Sequence, residues 1–160
     1  MSEKRRVKLP WGWAEGDSLR FTYGMGDLPR VVGALRAWCP SISRWMLVGP
    51  LGAGKTHFVR AWAGEAVASP TFTYVNAYPQ AYHVDLYRFS WEVPSRLAEL
   101  ESLLEEAPLI FVEWAEKLPE LPPLPFVWVE IQPVAPQERL LTATLIKDPP
   151  QEEPAEEGCQ

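Results

Sequence analysis

Apolar and polar positions change rhythm several times along this chain, and each change predicts an element. SLRFTY (18–23) alternates polar and apolar residues and predicts an edge strand. Beyond Asp27, a side chain suited to an N-cap, Leu28, Val31, Val32 and Leu35 recur at helical spacing as far as Trp38, and Pro40 stops the helix. RWMLV (44–48) is a short apolar run that reads as a buried strand. It feeds into GPLGAGKT, and THFVRAWAGEAV (56–67) continues as a helix with Phe58, Val59, Trp62 and Ala66 on one side.

FTYVNAY (72–78) and AYHVDLYRF (81–89) read as two strands around a short Pro-containing turn. Residues 92–106 form a helix striped by Leu97, Leu100, Leu103 and Leu104, and PLIFVEW (108–114) is a second buried strand ending in an acid. PELPPLP (119–125) is a rigid connector, and FVWVEIQ with RLLTATLIK makes a closing hairpin. Residues 1–17 lack periodicity and are expected to precede the fold as an extension. The Pro- and Glu-rich stretch 148–160 is expected to be a disordered acidic tail. Strands alternating with helices make 18–147 one α/β domain with a mainly parallel sheet and an antiparallel edge.

Composition narrows the setting. With 160 residues, 47% of them hydrophobic, there is room for one cored domain and little more. The formal net charge is −6, which argues against a chain that binds nucleic acid by its overall field. Cys39 and Cys159 are too few for a disulfide framework or a thiolate metal site. No stretch has the length of a membrane span or the apolar core of a signal peptide, so the expected location is the cytoplasm.

The strongest chemical signal is Gly49-Pro50-Leu51-Gly52-Ala53-Gly54-Lys55-Thr56, a full match to G-x-x-x-x-G-K-[ST]. Its glycines let successive backbone N–H groups turn inward onto phosphate oxygens, and the helix that follows adds its positive end. Lys55 supplies a charge for the β and γ phosphates, and the Thr56 hydroxyl is placed to ligate Mg²⁺. The motif lies between an apolar strand and an amphipathic helix, as the mechanism requires. A nucleoside triphosphate, ATP with Mg²⁺, is the expected ligand, and a P-loop NTPase-like three-layer fold the expected frame.

Hydrolysis or transfer also needs an acid near the metal. Asp85 in YHVDLYRF and Glu113 at the end of LIFVEW are the two strand-borne candidates, and spacing does not choose between them. A lone histidine such as His57 or His83 reads first as a packed or surface residue. Thr71 stands where a P-loop protein carries a segment that senses the γ phosphate. Most of the eight tryptophans fall on apolar faces, and Trp114 beside Glu113 is the exception.

Four blocks in order, LGAGKT (51–56), SPTFTYVNAY (69–78), HVDLYRF (83–89) and VEWAEK (112–117), resemble the TsaE family of small bacterial ATPases required for threonylcarbamoyladenosine in tRNA. The resemblance implies an Mg²⁺-dependent ATPase, weak alone and stimulated by its partners TsaB and TsaD, that meets tRNA only through that assembly. It implies Lys55, Asp85 and Glu113 as catalytic residues and Thr56, Asp85 and Glu113 as metal ligands. Gly49, Leu51, Gly52, Ala53, Gly54, Lys55, Thr56, His57, Thr71 and Trp114 form the implied nucleotide-binding set. The competing reading is a small-molecule or nucleotide kinase. Such kinases close an Arg-bearing lid over the phosphates, and the helix at 92–106 offers only Arg96.

Overall fold

The computed structural model describes residues 2–65 and 74–152. Among the described residues, eight strands form one sheet: β1 (Glu3–Leu9), β2 (Gly12–Gly24), β3 (Arg44–Val48), β4 (Val75–Tyr78), β5 (Ala81–Asp85), β6 (Ile110–Glu113), β7 (Phe126–Ala135) and β8 (Glu138–Ile146). Three described α-helices accompany them: α1 (Leu28–Trp38), α2 (Lys55–Ala63) and α3 (Pro94–Glu106). The strand order is β1-β2-β8-β7-β3-β6-β5-β4. The central strands β7, β3, β6 and β5 run parallel, while β4 on one side and β8, β2 and β1 on the other pair antiparallel. The fold is thus a P-loop-like mixed α/β sheet, with more antiparallel pairing than one edge.

Alternation along the strands separates two cores. Trp45 and Leu47 of β3 join α1 and α2 residues such as Leu35, Phe58 and Val59 on one face. Met46, between them, joins Leu100 and Leu104 of α3 on the other. On β6, Phe111 belongs to the α2 side, and Ile110 and Val112 to the α3 side. The same period carries His83 and Asp85 to the face of Ala81, the α2 side, and Glu113 to the face of Phe111. The chemistry-bearing residues of β5 and β6 therefore share one face at the carboxyl ends of parallel strands, where open α/β sheets place ligands.

Two terminal expectations need correction. Residues 1–17 do not precede the fold: Glu3–Leu9 pairs along its whole length with Gly12–Ser18. The strand pattern was hidden because Val7, Leu9 and Ala14 are its only buried hydrophobic residues, while Arg6 and Lys8 set their guanidinium and ammonium over Trp13, 4.4 Å and 5.2 Å from the ring centre. SLRFTY is the second half of β2 and pairs with β8. At the other end, Gln151 exchanges backbone hydrogen bonds with Trp13 at 2.7 Å and 2.8 Å, so the stretch after Asp148 is tied to the sheet at that point. Residues 153–160 lie outside the described part.

The remaining boundaries moved little. α2 ends at Ala63 because Gly64 turns at φ 84°, its N–H returning to the Arg60 carbonyl. The expected continuation through Ala66, and Thr71 with its neighbours, lie outside the described residues. Among those described, no helix is long and apolar enough to cross a membrane.

Candidate functional site

The loop after β3 is shaped by its glycines. Gly54, at the N-cap of α2, has φ 104°, a conformation costly for a side-chain-bearing residue. A Cβ on Gly49 would stand 2.3 Å from the Ile131 carbonyl oxygen, so only glycine lets the loop leave β3 against β7. Arg139, at the start of β8, donates from Nε to the Ala53 carbonyl (2.9 Å) and from Nη2 to the Gly52 carbonyl (3.2 Å). Those contacts hold two loop carbonyls from behind; the Ala53 N–H is used inside the loop, donating to the Pro50 carbonyl at 3.1 Å, and the grip on the Ala53 carbonyl favours the peptide orientation that turns the Gly54 N–H away from Arg139.

Lys55, on the first turn of α2, is buried. Its Nζ donates to the Gly49 carbonyl and, at 3.4 Å, to the Pro50 carbonyl, and it sits 3.7 Å from the centre of the Trp114 ring. Burial lowers its pKa from the usual lysine value, against the opposing influence of Glu113, Glu116 and Asp85. Trp114 is the one described non-glycine residue with a positive φ (59°). That left-handed turn directly after β6 brings its ring over the loop; strain of this kind gathers at functional sites.

Thr56 follows Lys55, and its hydroxyl donates to Glu113 Oε2 at 2.7 Å. The register makes this possible: Leu47 on β3 pairs with Glu113 on β6, so the acid ends beside the strand that launches the loop. His83 Nε2 bonds the same Oε2, and both side chains are almost fully buried. Burial alone would raise the Glu113 carboxyl. The hydrogen bond and charge of His83, the Thr56 hydroxyl and Lys55 outweigh it and hold the group below the usual carboxylate value.

Asp85 pairs in register with Glu113, one strand further out. Its Oδ1 accepts the Tyr87 N–H at 3.0 Å, fixing a tight turn at the end of β5. The two acids are therefore neighbours in different states, Glu113 buried and doubly bonded, Asp85 half-buried at the mouth. Leu51, Gly52, Ala53, Gly54, Lys55, Thr56, His57, Asp85, Glu113 and Trp114 all border one cleft of about 370 Å³, with Met25 and Tyr87. Leu51 and His57 are exposed, and Gly49 lies just behind, bordering a neighbouring cleft shared with Trp114. Of the expected set only Thr71 lies outside the described residues.

Sequence reasoning passed over two residues. His83 was recoverable: H-x-D on a strand puts both side chains on one face. Arg139 carried no signal, since a lone arginine opening a hairpin strand is ordinary until the strand order places it behind the loop.

Fold and site together define a P-loop-like α/β protein. The model of the family described as "Threonylcarbamoyl adenosine biosynthesis protein TsaE" matches residues 26–141. The chain belongs to the TsaE family, which takes part in threonylcarbamoyladenosine biosynthesis for tRNA. It is 37% identical over 112 residues to the tRNA threonylcarbamoyladenosine biosynthesis protein TsaE of Rickettsia bellii, covering 62% of this chain and 75% of that one. The protein of the same name from Nostoc sp. is 37% identical over 89 residues, 48% of this chain and 55% of that one. Among solved structures, the crystal structure of Bacillus subtilis YdiB aligns with a TM-score of 0.61 at 24% identity, covering 81% of this chain and 86% of that one, a likeness of fold.

Proposed function

We propose that this chain is a P-loop ATPase subunit that binds and hydrolyses ATP with Mg²⁺ in support of threonylcarbamoyladenosine modification of tRNA, acting in the cytoplasm with TsaB and TsaD. The observation that carries the reading is the Thr56–Glu113 hydrogen bond, because it sets a hydroxyl and a charged carboxylate side by side at the mouth of a loop built for phosphate.

The donor chemistry fits Mg²⁺. The ion takes hard oxygen ligands, keeps several waters and binds through one or two carboxylates plus substrate phosphates. Thr56, Glu113 and Asp85 offer that kind of set. Among the described residues no three His, Cys, Asp or Glu side chains gather into a closed cage, which agrees with a site the nucleotide completes. When bound, the ion neutralises charge on the β and γ phosphates. The chain's own groups do the rest. Loop N–H groups and Lys55 would hold the phosphates, Thr56 and Glu113 with Asp85 would hold the metal, and Asp85 at the open side would also orient the attacking water. Contact with tRNA runs through the assembly, in keeping with the chain's formal net charge of −6.

The test is phosphate release from ATP by the chain alone and with purified TsaB and TsaD. Slow release that rises with the partners and vanishes in Lys55→Ala supports the reading. No response to the partners, with phosphate passing to a small metabolite instead, would replace it with a kinase.

A further inference from the structure

His83 has one described polar partner, and that partner is Glu113. The residue stands at the centre of β5, paired in register with Asn76 on β4 and Phe111 on β6, and is 2% exposed. Its ring lies near the Tyr78 ring, with centroids 6.4 Å apart. Nδ1 is buried with no hydrogen-bond partner. A buried nitrogen without a partner is costly. Here one nitrogen is left unpaired while the other is spent on the carboxylate beside Thr56.

The direction of that bond follows from chemistry. A carboxylate oxygen accepts hydrogen bonds and an imidazole N–H donates them, so His83 donates from Nε2 to Glu113 Oε2. The Thr56 hydroxyl donates to the same oxygen. Two donors from two elements, β5 and α2, converge on Oε2 and fix the Glu113 rotamer, leaving Oε1 unclaimed by either.

We infer that His83 is a positioning residue for the metal-binding carboxylate: through Nε2 it orients Glu113, and so sets how strongly Mg²⁺ strengthens nucleotide binding. The inference rests on the proposed function for the identity of the ion and the nucleotide. Outer partners of metal ligands act in this way, and their loss typically reduces metal affinity or activity about 10- to 100-fold. Among the described residues outside the proposed phosphate and metal contacts, His83 is the one whose side chain bonds the acid itself.

The experiment measures binding of a fluorescent ADP analogue to the full chain, with and without Mg²⁺, for wild type, His83→Leu and His83→Gln. The glutamine amide reaches roughly as far as Nε2 and can donate to Glu113; leucine cannot. Expected is an Mg²⁺-dependent gain in affinity for wild type, a gain smaller by about tenfold or more in His83→Leu, restoration in His83→Gln, and unchanged Mg²⁺-free binding in all three. Should His83→Leu fail to fold, His83→Asn, whose shorter amide stops short of Glu113, takes its place. An undiminished Mg²⁺ gain in the non-donating variant overturns the inference while leaving the functional reading standing. Wild type that binds nucleotide with no Mg²⁺ gain, or binds none, overturns both.

Discussion

The Lys55 ammonium lies 3.7 Å from the centre of the Trp114 ring while also bonding the carbonyls of Gly49 and Pro50, so this cation is engaged by the loop and the ring that surround it. Under the proposed function, each of these partners yields when a triphosphate takes the cation. A cation–π contact of this kind is worth about 0.5–2 kcal/mol, and charge-assisted hydrogen bonds from the ammonium to phosphate oxygens are expected to outweigh it, so the exchange is expected to run toward nucleotide.

Trp114 should therefore report binding. Adding ATP is expected to change intrinsic fluorescence in wild type, and the change should disappear in Trp114→Phe although seven tryptophans remain. An equal change in that variant would show that the ring is not exchanged for phosphate.

Lys55→Ala is expected to lower nucleotide affinity by two orders of magnitude or more, while the ligand-free fold persists. The lysine is already disfavoured by burial, as its lowered pKa records, so its removal relieves a desolvation cost as well as leaving the Gly49 carbonyl without its donor. Calorimetric titration together with thermal unfolding checks both halves.

The depressed pKa of Glu113 makes stability depend on pH. A carboxyl held below its ordinary 4.5 contributes stability that is fully present above that value and is lost as pH falls through the lower folded-state value. Glu113→Gln should cost about 1.5–3 kcal/mol at pH 7, the range for charged hydrogen bonds, and the gap to wild type should close under acid conditions. Urea unfolding at pH 7 and pH 3 measures it; a gap independent of pH would mean that the carboxylate charge is not what the fold uses.

Arg139→Ala is expected to weaken nucleotide binding about tenfold without removing any group that meets the ligand. Two donations from one planar guanidinium hold the Gly52 and Ala53 carbonyls, so Arg139→Lys should restore little of the loss. Full affinity in Arg139→Ala would show that the loop keeps its shape unaided.

What the sequence made legible follows from where the information is stored. The loop, both buried strands and all three helices were readable because each is a local pattern: Gly spacing, apolar runs, or a leucine stripe. The β1 strand escaped because its buried face is Val7 and Leu9 only, under basic side chains that look like a solvated tail. That Glu113, and not Asp85, accepts the Thr56 hydroxyl was equally out of reach. It depends on strand order, which sets Glu113 on the strand adjacent to β3 and Asp85 one further out. Arg139 belongs to the same class, a contact made across 86 residues of chain.

The most direct measurement is made in the cell that supplies this chain. The protein is depleted, its tRNA digested, and the nucleosides measured after re-expression of wild type or Lys55→Ala. The account predicts that threonylcarbamoyladenosine falls on depletion, returns with wild type and does not return with Lys55→Ala. Full levels after depletion, or full rescue by the lysine variant, would contradict it.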